Sequence, residues 1–160
     1  MALYTPVTGI ISNIEQQSDC STHFTIQSET PRQGQIHFHL PSDAYVLNLH
    51  PFQLGDRATF FYPANAPVPL IYPPRYRAAA AAHTPHGVTA VLDMFSYAMT
   101  NSDNTLLLTP SWNTPVTLPN GQTYTKHPGG HLLMATYTAS SRSIPARATP
   151  EQIVVFCGRV

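Results

Sequence analysis

Short runs of alternating apolar and polar residues, without helical periodicity, dominate the chain. The clearest are His23–Gln27 and Gln35–Leu40, which are joined by a polar turn that contains proline and glycine. An earlier run, Thr8–Glu15, has the same character. Sixteen prolines and eight glycines interrupt the sequence, and short alternating runs between such turn signals are typical of strands. The pattern therefore predicts an all-β fold.

Alternation also predicts how the two strands of this hairpin pair. The register that places Phe24 opposite Phe38 and Ile26 opposite Ile36 makes one face of the hairpin apolar. The other face then carries polar side chains from both strands: His23, Thr25, His37 and His39. We expect the apolar face to contribute to a core and the imidazole rings to cluster outside it.

The sequence also contains an internal repeat. Leu54–Ala64 resembles Gly129–Ala139, with glycine, tyrosine and alanine at matched places, and His39–Tyr45 resembles Thr117–Tyr124 around a shared Leu-Pro pair. Each copy reads as four strands, a long proline-containing loop and a fifth strand. This order is typical of a small five-stranded barrel of the OB type. The competing hypothesis is a chance likeness between two β segments rich in threonine and proline.

The repeat changes the interpretation of two other segments. Ala78–Ala82 has the composition of a helix, but it matches Ile153–Cys157, whose β-branched residues favour a strand. We therefore predict a strand at the alanines. In the second copy, Asn120-Gly121 is a strong hairpin signal that joins a strand around Thr114–Leu118 to one near Thr123.

We accordingly predict two tandem, small, five-stranded OB-like barrels that arose by internal duplication. The first domain comprises residues 1–83 and the second residues 84–160. A length of 160 residues suffices for one ordinary domain or two very small ones. The alternative architecture is a β-sandwich formed by both copies.

Two proline-containing blocks resemble a known family. They are FFYPANAPVPLIYPPRYRA, Phe60–Ala78, and ASSRSIPARATPEQIVV near the C-terminus. They are similar to a Y-x-A-x-A-P-x-P-L-I-Y-P-P block and a later T-R-S-I-P-A-x-x-x-P block in an uncharacterised family of bacterial proteins of similar length, mostly from Firmicutes. Ser141 replaces the threonine of the second block. The resemblance implies a two-part chain and carries no activity, ligand or catalytic residue with it.

Charged residues are scarce. The chain has eight Lys and Arg and eight Asp and Glu, together 10% of its residues, against about 25% in an ordinary soluble domain. A net charge of zero argues against binding nucleic acid or anionic membrane through bulk electrostatics. Because such a surface favours association, the composition predicts self-association or binding to another protein.

No targeting segment is predicted. The start, MALYTPVTGIISNI, lacks a basic region and a small-residue cleavage site, and no run of about 18 apolar residues occurs. We expect no membrane span, and a location either in the cytoplasm or on a cell or spore surface reached by another route. Cys20 and Cys157 are too few for a disulfide framework, and we expect ordinary thiols, with Cys157 on a buried strand.

The histidines of the hairpin form the first candidate site. His37 and His39 lie two apart on one strand and share a face, and the predicted register places His23 opposite His39. Three imidazoles on one face can bind Zn or Cu with an open coordination position. The alternative is a solvated outer face, because no nearby carboxylate is an obvious partner for the rings. His50 and His83 are expected to be single polar residues near turns.

The two proline-containing loops form the second candidate site. Their tyrosines and arginines offer contact area and hydrogen-bond donors suited to a ligand or a partner protein: Tyr62, Tyr72, Arg75, Tyr76, Arg77, Arg142 and Arg147. The alternative is a purely structural role for these loops. The run Ala64–Tyr72 is almost uncharged, so either intramolecular packing or a partner is expected to cover it.

Catalytic motifs are missing. The sequence has no Gly-rich phosphate loop, no G-x-S-x-G and no H-E-x-x-H, and we expect Asp56 to cap the turn at Gly55. The leading hypothesis is a non-enzymatic, self-associating structural or protein-binding module. The alternative is a metal-binding protein or metal-dependent enzyme that uses the hairpin histidines. A weaker third hypothesis is carbohydrate or small-ligand binding on the tyrosine-rich and arginine-rich loops.

Overall fold

The all-β prediction is confirmed. The structure is a computed structural model that describes residues 2–158, and those residues form thirteen strands and a single turn of 3-10 helix. The chain divides into two compact units. One consists of residues 4–86, and the other of residues 87–158 together with Ala2 and Leu3. The division follows His86, close to the predicted boundary after His83.

The first unit forms one seven-stranded sheet. Its strands are β1 (Tyr4–Gln16), β2 (Thr22–Ser28), β3 (Gln35–Leu40), β4 (Tyr45–Val46), β5 (Arg57–Pro63), β6 (Arg75–Arg77) and β7 (Ala80–His83). Their order in the sheet is β4-β7-β5-β1-β2-β3-β6. The 3-10 turn, Leu47–Leu49, follows β4. The three strands expected at the start of the chain are therefore present, with β1 longer than predicted.

The predicted register of the β2–β3 hairpin is confirmed. Phe24 pairs with Phe38 and Ile26 with Ile36, in an antiparallel ladder. All four side chains are buried in the core of this unit, and Phe38 stacks on Phe60 of β5 with ring centroids 4.9 Å apart. Strict alternation fixes this arrangement because a slip by one residue would move the apolar side chains to the outer face.

Strand β1 lies at the centre of the sheet and pairs with a strand on each side. It pairs with β5 through Tyr4–Ile10 and with β2 through Gly9–Gln16, with a bulge between Ile11 and Asn13. At Gly9, where both ladders overlap, a Cβ would lie 2.2 Å from the backbone carbonyl oxygen of Gln27. A glycine is therefore required where the neighbouring backbone comes this close.

Strands β6 and β7 are two pieces of one extended segment. Strand β6 pairs in parallel with β3, whereas β7 pairs antiparallel with β5. Between them, the Ala78 N–H donates to the His39 carbonyl at 2.9 Å and the Ala79 N–H to the Phe61 carbonyl at 2.7 Å. The predicted strand at Ala78–Ala82 is therefore present only from Ala80, because the chain changes partner at Ala78 and Ala79.

The second unit contains six strands in two sheets. They are β8 (Thr89–Met94), β9 (Leu106–Leu108), β10 (Val116–Thr117), β11 (Leu132–Tyr137), β12 (Ala146–Ala148) and β13 (Gln152–Phe156). One sheet has the order β10-β13-β11-β8, and the other pairs β12 with β9. The Asn120-Gly121 turn is confirmed, since the Gly121 N–H donates to the Leu118 carbonyl at 2.9 Å. Among the described residues, no sheet of either unit is closed into a barrel.

Some pairings recur in both units. Strand β4 pairs in parallel with β7 as β10 does with β13, and β3 pairs in parallel with β6 as β9 does with β12. A cis proline precedes both β6 and β12, at Tyr72-Pro73 and Ile144-Pro145. Matched through these pairings, Ala81 of β7 corresponds to Ile153 of β13, because Phe60 pairs with Ala81 and Ala135 pairs with Ile153.

One expectation about the cysteines is wrong. Strand β13 ends at Phe156, so Cys157 lies just beyond it and is exposed instead of buried. Cys20 is also exposed, in the turn between β1 and β2, and both thiols are free.

Replacing Gly9 tests the central position of β1. We expect Gly9→Ala to lower the free energy of unfolding of the first unit by about 1–3 kcal/mol, because the added methyl group must displace backbone. Urea unfolding followed by circular dichroism measures the loss. Gly158→Ala is the matched control, since a Cβ there meets no atom within 4 Å. An equally small effect of both substitutions would contradict the tight packing at Gly9.

Candidate functional site

The three hairpin histidines lie on one face, as their predicted register requires. His23 pairs with His39 across the two strands, and His23 Nε2 lies 2.8 Å from His39 Nδ1. Their rings meet edge to face with centroids 4.9 Å apart. His37 instead pairs with Thr25, whose hydroxyl lies 3.1 Å from His37 Nδ1.

These contacts give the three rings different hydrogen-bond partners: His23 and His39 bond to each other, and His37 bonds to Thr25. A hydrogen bond between His23 and His39 needs one proton between the two nitrogens, so in that arrangement one nitrogen has no lone pair to offer a metal. Among the described residues, the set of three metal-ligating groups whose donor atoms lie within 4.8 Å of one another does not include them. The Zn or Cu site at His23, His37 and His39 stays a prediction.

The histidines border a groove of about 290 Å³. Glu15 and Arg75 line the same groove, and Glu15 pairs with His23 across β1 and β2. The sequence pattern does not place Glu15 beside His23, because the turn between β1 and β2 gives no signal for the register of these two strands. Burial in the groove lowers the pKa of His37, and the nearby Arg75 and His23 lower it further by repelling the charged ring.

The residues predicted for the first loop do not form one cluster. Tyr62 and Tyr76 stack with ring centroids 3.9 Å apart and pack, half-buried, against the core. Burial and the contact with Tyr62 raise the pKa of the Tyr76 hydroxyl. Arg75 lines the histidine groove, whereas Arg77 lines a separate cavity. Both tyrosines thus pack partly against the core, and their role in binding a ligand or a partner stays a prediction.

The exposed part of this loop is apolar. We call it the apolar tip and define it by four side chains: Val68, Leu70, Ile71 and Tyr72. Leu70 is 99% exposed and Val68 is 81% exposed. Among the described residues of the first unit nothing covers the tip, so packing inside that unit does not bury this run, and the expectation of a covering partner remains a prediction.

A cavity of about 460 Å³ adjoins the base of the same loop. Pro63 and Ala66 of the loop line it, together with small apolar residues from two other segments and two charged side chains: Pro41, Asp43, Ala44, Arg77, Ala78 and Ala79. Alanine and proline leave this cavity open because their side chains are short. The cavity is lined mainly by short apolar side chains, with one acidic and one basic residue among them.

The second loop also presents predicted residues to solvent. Arg142 and Arg147 are both exposed, and Ile144 between them is 91% exposed. The loop is held by its own polar groups, since the Arg147 backbone N–H donates to the Ser141 hydroxyl at 2.9 Å.

One cluster was missed by the sequence analysis, which interpreted His50 and His83 as single polar residues. His50 Nε2 lies 3.1 Å from Asp56 Oδ2, and His83 Nε2 lies 3.9 Å from Asp56 Oδ1. The two imidazole rings stack in parallel with centroids 4.0 Å apart. Asp56 also accepts the Gln53 backbone N–H at 2.9 Å, as expected for a residue that caps this turn.

The carboxyl group of this cluster favours its ionised form. Burial opposes ionisation of Asp56, but the hydrogen bonds from Gln53 and His50 and the attraction of His83 outweigh it and lower the pKa. No local motif signals the cluster, because its members come from three separate segments. Two features of the sequence could have indicated the cluster. They are the capping role of Asp56 and the predicted strand at the alanines, whose end carries His83 to a position beside β5.

Comparisons with known proteins provide no assignment. No family model matches the chain, and no curated protein or solved structure matches it either. Within residues 2–158, no helix has the length and apolar character needed to cross a membrane.

The pKa of His37 tests the electrostatics of the groove. Because the folded-state value is lowered, the contribution of His37 to stability is present above the ordinary histidine pKa and is lost as the pH falls through the lowered one. Arg75→Gln should raise the pKa of His37 part of the way to normal, since burial persists. Imidazole NMR titration measures it. Arg77→Gln, outside the groove, should leave the value unchanged; equal shifts in both variants would refute the assignment.

Proposed function

We propose that the protein is a non-enzymatic, self-associating module built from two OB-like barrels. The observation that carries this proposal is the apolar tip, four large exposed side chains within five residues of a loop. A contiguous exposed apolar patch marks an interaction site in a soluble protein. The proposal commits to one partner, a second copy of this chain.

The charge of the chain supports this choice of partner. Equal numbers of acidic and basic residues give zero net charge, so two copies approach each other without the net repulsion that keeps many proteins apart. Each copy also carries an uncharged tip and a cavity lined mainly by alanine and proline at the base of the same loop. A tip from one copy and a cavity from another are therefore matched in polarity.

The connectivity supports the barrel part of the proposal. In the first unit, β6 and β7 are consecutive pieces of one segment, yet β6 ends the sheet order on one side and β7 lies beside the last strand on the other. A sheet whose two sides bond to one segment curls towards a barrel. The pairings that recur in the second unit support duplication, as does the resemblance to the two-part bacterial family, which we retain as a proposal.

Substitution of the tip tests self-association. Burying a leucine side chain contributes about 1.5–3 kcal/mol, which corresponds to roughly 10–100-fold in a dissociation constant. Leu70→Asp removes that contribution and places a charge in the contact. We expect the dissociation constant between copies to rise by at least about tenfold, as measured by sedimentation equilibrium over a range of protein concentrations.

Trp112→Asp is the matched control. Trp112 is 96% exposed and lies outside the apolar tip, so its replacement should leave the association unchanged. A wild-type chain that remains monomeric at high concentration contradicts the proposal. So does a Leu70→Asp variant that associates as tightly as the wild type, or a Trp112→Asp variant that alone dissociates.

A further inference from the structure

We propose that His50, Asp56 and His83 bind a divalent transition metal ion, zinc or copper(II), at one end of the first unit. The site is independent of the apolar tip and goes beyond self-association. It shares no residue with the hairpin histidines predicted to bind metal.

The ligand types match the proposed ions. Two imidazole nitrogens and one carboxylate are a recurrent set of protein ligands for zinc, and three protein ligands leave a coordination position for water or another group. Imidazole also suits copper, whereas magnesium and calcium favour sites built from oxygen ligands. Two imidazoles and one carboxylate therefore favour zinc or copper(II) over magnesium and calcium.

The distances leave little rearrangement for binding. Ligand atoms about 2.0–2.2 Å from a tetrahedral zinc lie roughly 3.4 Å from one another. In the cluster, the two imidazole Nε2 atoms lie 3.1 Å and 3.9 Å from the nearest oxygens of Asp56, and one ligand atom from each residue falls within 4.8 Å of the other two. The ligand atoms thus lie near the separations that one ion requires, and because the two rings stack in parallel, binding would turn them so that both nitrogen lone pairs point at the ion.

Each ligand is positioned by ordered backbone. His50 ends the 3-10 turn, where its N–H donates to the Leu47 carbonyl. Asp56 directly precedes β5, and its carbonyl accepts the Ile11 N–H at 2.9 Å. His83 ends β7 and pairs with Ala58 of β5. Two of the ligands thus lie at the ends of interior strands of the sheet, where a site is positioned more precisely than on a loop, and the third follows a hydrogen-bonded turn.

The surroundings also permit an ion to enter. All three side chains are partly exposed, neither buried in the core nor fully in solvent. Phe52 packs edge to face against His50, with ring centroids 5.3 Å apart, so one side of the cluster is apolar. An apolar flank limits the motion of the ring and keeps water from one side of the bound ion.

Metal binding to matched variants tests the proposal. Isothermal titration of the metal-free protein with zinc chloride should show one ion per chain at this site. His83→Gln and Asp56→Asn should each weaken that binding by more than about tenfold, which is the scale reached even when a partner of a ligand is removed. Substitution by cobalt(II) provides a second readout, since its visible absorption reports nitrogen and oxygen ligation directly.

The double variant His23→Gln/His39→Gln is the matched control because it removes the other histidine pair and keeps this cluster. Its zinc binding at the cluster should equal that of the wild type, and circular dichroism establishes that each variant is folded. Binding lost in the control and kept in His83→Gln overturns the proposal in favour of the hairpin. Absence of binding to the wild type also overturns it. Leu70→Asp should still bind zinc, which separates this site from self-association.

Discussion

The fold of the first unit depends on the hydrogen bonds of one segment, Arg75–His83. Its first part bonds to β3 and its last part to β5, with Ala78 and Ala79 donating to the two strands in turn. The five consecutive alanines, Ala78–Ala82, have the size that this change of partner requires. Ala80, Ala81 and Ala82 are fully buried, and a larger side chain at any of these three positions would have to displace core residues that are already closely packed.

The same segment contributes a residue to the surroundings of both histidine clusters. Strand β6 places Arg75 beside His37, so a positively charged guanidinium group lines the hairpin groove. Strand β7 carries His83 to the start of β5, next to Asp56. The residues close to Arg75 and His83 in the sequence do not indicate these positions. They result from the pairing of β6 with β3 and of β7 with β5.

Local alternation explains how much could be predicted. The register of β2 and β3 follows from phenylalanine and isoleucine at alternate positions, and with it the common face of His23, His37 and His39. The grouping of His50, Asp56 and His83 could not be predicted, because it depends on pairing between β5 and β7 and on a turn with no periodic signal. The sequence repeat aligns Ala78–Ala82 with Ile153–Cys157, whereas the strand pairings align Ala81 with Ile153. The two alignments differ because the connection from β5 to β7 is longer than the connection from β11 to β13.

The parallel pairing of β3 with β6 also constrains the order in which the chain can fold. Strands β1 to β3 form from neighbouring residues, but β3 and β6 are separated by the whole of β4 and β5, and closing such a loop has an entropic cost that delays the pairing. During synthesis the edge of β3 therefore stays unpaired until Arg77, the last residue of β6, has emerged from the ribosome. In that interval the nascent hairpin offers free backbone groups to any strand nearby, including one from a neighbouring nascent chain.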